Sequence, residues 1–143
     1  MLINPRRLGY VLLRISMGFV IFFWGLRKFI GGYSQFVSGM ENQFANSWLP
    51  GFAVQLFACI LPFAEVILGA LLILGLFTLY AAALEAIFVM ALSTGMQISG
   101  DSATVANNLV YTMILCALVF LVDYNAFSLG SKLNRRHTAA KPQ

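Results

Sequence analysis

Four long apolar stretches dominate the chain, and polar or glycine-rich breaks separate them. They run from about 8 to 30, 54 to 76, 78 to 98 and 103 to 127. Each is close to the ~20 residues that a helix needs to cross the hydrocarbon core. Such continuous apolar runs favour helices over barrel strands, because a helix satisfies its own backbone polar groups. The pattern therefore predicts an all-α integral membrane protein, a four-helix bundle that forms one domain over residues 1–143.

The breaks between these spans predict how the helices are joined. Gly31 and Gly32 end the first span, and Pro50 precedes the second. Only a minimal turn separates spans two and three, so these should form a tight antiparallel hairpin. Asp101 or Ser102 is a natural N-cap for span four. No small-residue cleavage site follows the first run, so we expect a retained span rather than a signal peptide.

The connection from 31 to 53 is long enough to hold structure of its own. Aromatic and aliphatic side chains recur in it at helical spacing, namely Tyr33, Phe36, Val37, Met40 and Phe44. This spacing predicts a short amphipathic interfacial helix between spans one and two, with Trp48 at the level of the headgroups. A plain loop with scattered aromatic residues is the alternative.

Composition and charge agree with a lipid solvent. Hydrophobic residues make up 60% of the chain and charged residues 10%, whereas soluble domains carry roughly 25% charged residues. The net charge is +4, and six of the nine Lys and Arg residues lie near the ends. An even number of spans places both basic ends on one side, which the positive-inside rule makes cytoplasmic, including a basic tail at 130–143. Anionic lipid headgroups, and no nucleic acid, are the expected partners of this charge.

Three charged side chains interrupt the apolar spans, and they are the first candidate site. Arg14 lies in span one, Glu65 in span two and Glu85 in span three. A charge at mid-membrane costs at least ~2.5–3.5 kcal/mol, so it needs a partner, water or a function. When residues are counted from the cytoplasmic end of each span, Arg14 and the two glutamates fall within about one helical turn of each other in depth. Arg14 is therefore predicted to contact Glu65, Glu85 or both. This inner polar core either fixes helix register or supplies a carboxylate that accepts protons or binds a ligand.

A second polar set is expected towards the outer side. It consists of Arg27, Lys28, Asn107, Asn108 and Tyr111. Arg27 and Lys28 are expected at the non-cytoplasmic end of span one, contrary to the positive-inside rule, which suggests a specific role for this pair. Two interpretations are open: a site for a quinone head group or a partner's loop, or hydrogen bonds between helices.

Familiar catalytic motifs are missing from the sequence. The single histidine, His137, lies in the basic tail, so no span has an axial haem ligand. No metal-site spacing, phosphate-binding loop or dinucleotide fingerprint occurs. Cys59 and Cys116 are expected to be buried free thiols, with an interhelical disulfide as the alternative. We therefore expect no covalently bound cofactor and no metal, and any redox step would need a borrowed cofactor or a diffusible quinone.

Several stretches of the chain resemble the DoxX family of small bacterial membrane proteins. They are Leu13 to Gly18, Phe22 to Gly25 with Lys28-Phe29, Pro62 to Glu65 with Gly69, Leu74 to Thr78, and Asp123 to Leu129. The family pattern often has an arginine after the Gly-Leu-Phe-Thr stretch, where this chain has Leu79 and Tyr80. The resemblance implies a four-helix membrane protein, similar in some members to the small subunit of a thiosulfate:quinone oxidoreductase.

Together these observations favour a multi-pass subunit in the bacterial inner membrane. The first hypothesis is a membrane subunit of a quinone-linked oxidoreductase complex that anchors other membrane or peripheral subunits and shapes a quinone site. The alternative is a non-catalytic scaffolding subunit of a larger membrane assembly. A small proton-coupled transporter is the third hypothesis, because intramembrane carboxylates relay protons.

Overall fold

Helices account for almost all of residues 4–125, which the computed structural model describes. In chain order they are α1 (Pro5–Ile30), α2 (Tyr33–Phe44), α3 (Gly51–Leu74), α4 (Thr78–Ser99) and α5 (Ser102–Phe120), followed by a 3-10 turn at Val122–Tyr124. Four of them, α1, α3, α4 and α5, are long and apolar enough to cross a membrane. The predicted all-helical fold with four spans is confirmed, and the predicted basic tail lies outside the described residues.

The fourth span ends earlier than predicted. Its α-helix stops at Phe120, and the expectation that it continues to 127 is wrong. The backbone N–H groups of Tyr124 and Asn125 instead donate to Leu121 and Val122 at 3.0 Å each, so the chain tightens into a 3-10 turn. This turn presents the side chain of Asn125 to the interior, where two other residues bind it.

A three-residue turn joins α3 to α4 and forms the predicted hairpin. Gly75 closes α3 in the left-handed region with φ 71°, and the Leu76 N–H donates to the Leu71 carbonyl at 3.0 Å. Both features are typical of a glycine C-cap. Phe77 also has a positive φ, 47°, which is unusual for a bulky residue. At the next connection Asp101 is the N-cap of α5, as predicted, and hydrogen bonds from the Thr104 side chain and backbone lower its pKa.

Glycine lets α1 and α3 approach each other closely. A Cβ placed on Gly69 would lie 2.6 Å from the backbone nitrogen of Phe22. A Cβ on Gly18 would lie 2.9 Å from the Ile73 nitrogen, and one on Gly25 would lie 2.8 Å from the Pro62 carbonyl oxygen. Real side chains do not tolerate these distances, so the two helices can pack this way only where side chains are absent.

These contacts also set the relative height of the two helices. Gly18 lies opposite Gly69 and Ile73, while Gly25 lies opposite Pro62 and Glu65. The C-terminal end of α1 is therefore level with a point about one third of the way along α3, and the first third of α3 extends beyond it. The residue counting above assumed that the four spans begin and end at common levels, and the structure contradicts this assumption.

Helix α2 covers the part of α3 and α4 that α1 leaves open. Its buried residues Met40 and Phe44 pack with Val54 and Ala58 of α3 and with Met96 of α4. At its start, the Tyr33 hydroxyl donates to the Cys59 carbonyl at 3.1 Å. The predicted short helix is thus present, while its place at a membrane interface stays a prediction.

The close approach at Gly69 leads to a test of the packing. We expect Gly69→Ala to lower the free energy of unfolding by about 1–3 kcal/mol, because the added methyl group would overlap the backbone of α1. Unfolding in mixed detergent micelles, followed by far-UV circular dichroism, measures this loss. Gly9→Ala is the matched control, since nothing lies within 4 Å of a Cβ there. Equal stability of the two variants would contradict the packing.

Candidate functional site

An ion pair between Lys28 and Glu65 lies inside the bundle. The Lys28 Nζ is 2.5 Å from one carboxylate oxygen of Glu65 and 2.6 Å from the other. The Glu65 side chain is only 3% exposed, and that of Lys28 is 20% exposed. Gly25, one turn before Lys28, brings α1 against the Glu65 Cβ and so makes the short contact possible. This is the single salt bridge among residues 4–125.

A second carboxyl group, Glu85 of α4, belongs to the same cluster. It is 1% exposed, and both Glu65 and Lys28 lie within its electrostatic reach. Its Oε2 atom has no hydrogen-bond partner among the described residues. This cluster therefore holds two carboxyl groups and one lysine, and the lysine contacts both oxygens of Glu65.

Beside Lys28 the bundle opens into a cleft between the end of α1 and the start of α2. Its volume is about 500 Å³, and its lining is Trp24, Arg27, Lys28, Gly31, Gly32, Gln35 and Phe36. The Lys28 Nζ lies 5.0 Å from the centre of the Phe36 ring, within cation–π range. The cleft thus combines aromatic walls with two cationic side chains.

An apolar groove of about 370 Å³ adjoins this cleft on the outside of α1. Phe23, Leu26 and Ile30 line it, and it shares Arg27 and Gly31 with the cleft. The exposed surface of Phe23 and Ile30 is large, 55% and 80%. In a bilayer such a surface faces lipid, so the cleft is continuous with a path along the acyl chains.

The predicted outer set is only partly brought together. Arg27 and Lys28 line the cleft, and the Tyr111 ring packs edge-on against Trp24, another lining residue, at 4.6 Å between centroids. Asn108 lies one turn from Tyr111 and is 3% exposed, with no partner for its Nδ2 among the described residues. Asn107 is exposed on another face of α5 and does not join the site.

The predicted contact of Arg14 with Glu65 or Glu85 is wrong. The Arg14 Nη1 donates to the Asn125 Oδ1 at 2.6 Å, and the Asn125 Nδ2 donates to the Thr78 Oγ1 at 2.9 Å. Because α1 is displaced inwards relative to α3, Arg14 lies level with the turn that begins α4. Lys28 lies fourteen residues after Arg14 on α1, ~21 Å further along the helix axis. It is Lys28 that contacts Glu65 instead.

Sequence reasoning missed three cleft residues, Trp24, Gln35 and Phe36. A signal for Trp24 was present, because it precedes Lys28 by four residues and so shares its face of α1. Gln35 and Phe36 come from α2, whose packing depends on where α1 ends. The two cysteines are free, but Cys116 is exposed on α5, which corrects the expectation of a buried thiol.

Comparison with known proteins gives one match. The family model DoxX matches residues 9–96, a stretch that includes α2, α3, nearly all of α1 and α4, and the residues Lys28, Glu65 and Glu85. No curated protein and no solved structure matches the chain.

The buried ion pair predicts a strong coupling between Lys28 and Glu65. We expect Lys28→Met to destabilise the protein by roughly 3 kcal/mol at neutral pH, because it removes the cation that compensates the buried carboxyl group of Glu65. Adding Glu65→Gln should restore most of that loss, and detergent unfolding of the four proteins of the cycle measures the coupling. Arg27→Met is the control, because this neighbouring cation is exposed. Strictly additive effects would rule out the pair.

The inner hydrogen bonds make a separate prediction. Thr78→Val keeps the shape of the side chain but removes the acceptor for Asn125, so we expect a loss of about 1 kcal/mol in unfolding free energy. Thr94→Val should change little, since the Thr94 hydroxyl is exposed and donates only to the Met90 carbonyl of its own helix. Similar unfolding curves for both variants would argue against the Asn125 bridge.

Proposed function

The chain belongs to the DoxX family, and from that premise we propose that it is a membrane subunit of a bacterial quinone-linked oxidoreductase complex. The observation that carries the proposal is the cleft beside Lys28, with aromatic side chains, two cations and a lipid-facing groove in one place. In this proposal the protein lies in the inner membrane with both termini cytoplasmic, and a partner subunit supplies the electrons.

The shape and chemistry of the cleft suit a quinone head group. A volume of about 500 Å³ falls in the usual range for small-molecule sites. A quinone is a flat ring with two carbonyl oxygens, so it would contact Trp24 and Phe36 through its faces and accept hydrogen bonds from Lys28 or Arg27. Both are charge-assisted donors, which bind acceptors more strongly than neutral groups do.

The adjoining groove suits the tail of the same molecule. Membrane quinones carry an apolar isoprenoid chain, which must stay in contact with hydrocarbon when the head group is bound. Phe23, Leu26 and Ile30 provide an apolar surface that leads directly from the cleft to the lipid-facing side of α1. Head group and tail would therefore occupy two connected sites of matching polarity.

The two tryptophans allow a direct binding test. A Trp48→Phe variant leaves Trp24 as the single tryptophan, and quinones quench tryptophan fluorescence at short range. We expect saturable quenching when a short-chain quinone is added to this variant in lipid nanodiscs. In this background Arg27→Gln or Lys28→Gln should weaken the apparent Kd about tenfold, because each removes one charged hydrogen-bond donor.

Two controls separate binding from simple partition of the quinone into lipid. Trp24→Phe keeps only Trp48, which is 79% exposed outside the cleft, and should show weak, non-saturable quenching. Arg7→Gln removes an exposed cation at the opposite end of α1 and should leave the Kd unchanged. Quenching of Trp24 that does not saturate, or that is indifferent to Arg27 and Lys28, would count against a quinone site.

One observation favours scaffolding as a second candidate function. Only 17% of the most apolar stretch of α5 is buried, compared with 33–39% for the other three spans. A neighbouring membrane subunit could cover this face. Crosslinking from Met113, which is 72% exposed, would test this, with capture of the same partner irrespective of quinone as the supporting result.

A further inference from the structure

The charges of the cluster formed by Lys28, Glu65 and Glu85 do not balance if all three groups are ionised. Glu65 and Glu85 are both almost fully buried, and Lys28 is the one cation that the structure places within their reach. The other buried cation, Arg14, lies at the inner end beside Asn125. Helix α5 carries no charged residue, and α4 itself carries no other charged residue than Glu85.

The geometry shows which carboxyl group forms the ion pair with Lys28. Lys28 contacts both oxygens of Glu65, at 2.5 and 2.6 Å, so its charge is committed to that residue. Glu85 has one oxygen without a hydrogen-bond partner among the described residues, and its charged neighbours are the Glu65 carboxylate and, with a smaller effect, Lys28. A buried carboxylate with no cation of its own costs several kcal/mol, and a like charge nearby adds to that cost. Binding a proton removes both costs.

We infer that Glu85 is a proton-binding site inside the membrane, occupied at neutral pH and governed by the Lys28–Glu65 pair. This assignment does not depend on which ligand the cleft binds. On α5 the buried Nδ2 of Asn108, which has no partner within residues 4–125, is a second sign that the interior accommodates polar groups. A ligand that draws the Lys28 ammonium into the cleft would leave two carboxyl groups without a cation, and the site would then bind a second proton.

Infrared spectroscopy of the protein in lipid vesicles tests this inference directly. A protonated carboxyl group has a C=O stretching band that is distinct from the carboxylate bands. The chain has five acidic side chains, and Glu41, Asp101 and Asp123 lie outside the spans. None of these three side chains is buried, so the band of a buried acid reports on Glu65 and Glu85 alone. We expect the wild-type protein to show a band equivalent to one acid group.

The variants give different expected intensities. Glu85→Gln should abolish the band, because Glu65 stays ionised beside Lys28. Glu65→Gln should also abolish it, because Lys28 then has Glu85 as its one acidic neighbour and ionises it. Lys28→Met should double the band, because neither carboxyl group keeps a cation. Asp123→Asn, which alters an exposed carboxylate, should change nothing.

The contrary outcomes are equally specific. A wild-type protein without the band, or a band that survives Glu85→Gln, would overturn the assignment of the proton to Glu85. A band that survives Glu65→Gln would overturn control by the ion pair. If Lys28→Met does not fold, the two glutamate variants still decide both points. No quinone is present in this experiment, so its result is independent of the fluorescence test of the cleft.

Discussion

The close approach of α1 to α3 is the constraint on which the rest of the structure depends. Gly18, Gly25 and Gly69 remove the side chains that would hold these helices apart. Their contacts set the height of α1, and this height brings Lys28 to Glu65. It also leaves the outer part of α3 free for α2, so the same packing creates the cleft.

The polar groups of the interior therefore form two separate layers. The inner layer joins Arg14, Asn125 and Thr78, and so ties the end of the described chain to the starts of α1 and α4. The middle layer joins Lys28 and Glu65 and adds Glu85. Neutral hydrogen bonds and one arginine suit a structural role at the inner end. Carboxyl groups that outnumber the cations suit proton binding at mid-depth.

Apolar patterning was sufficient to predict the spans, the tight hairpin and the existence of α2. Each of these depends on local properties: run length, glycine or proline breaks, and helical spacing. The end of α5 was predicted seven residues too late because Leu121, Val122 and Tyr124 continue the apolar run, while the backbone there leaves the α-helix for a 3-10 turn.

The pairing of charges could not be predicted in the same way. Counting residues from the start of each span assumes that all helices enter the membrane at one level. The offset of α1 breaks that assumption, so Lys28 contacts Glu65 and Arg14 contacts Asn125. A residue-by-residue match of Gly18 and Gly25 with Gly69 and Pro62 would have given the correct register, but the sequence alone does not say which glycines face each other. The site is thus a product of helix register, which depends on long-range packing.

The depth of Glu65 has an electrical consequence. It is the fifteenth of the 24 residues of α3, so a proton that comes to this layer from either side of the bilayer crosses about half of the transmembrane potential. An elementary charge moved through the whole potential changes its energy by about 2.3 kcal/mol per 100 mV. Proton occupancy at this depth would therefore respond to membrane voltage as well as to pH, by roughly half that amount. An energised membrane would load or empty this layer according to the side from which it is reached.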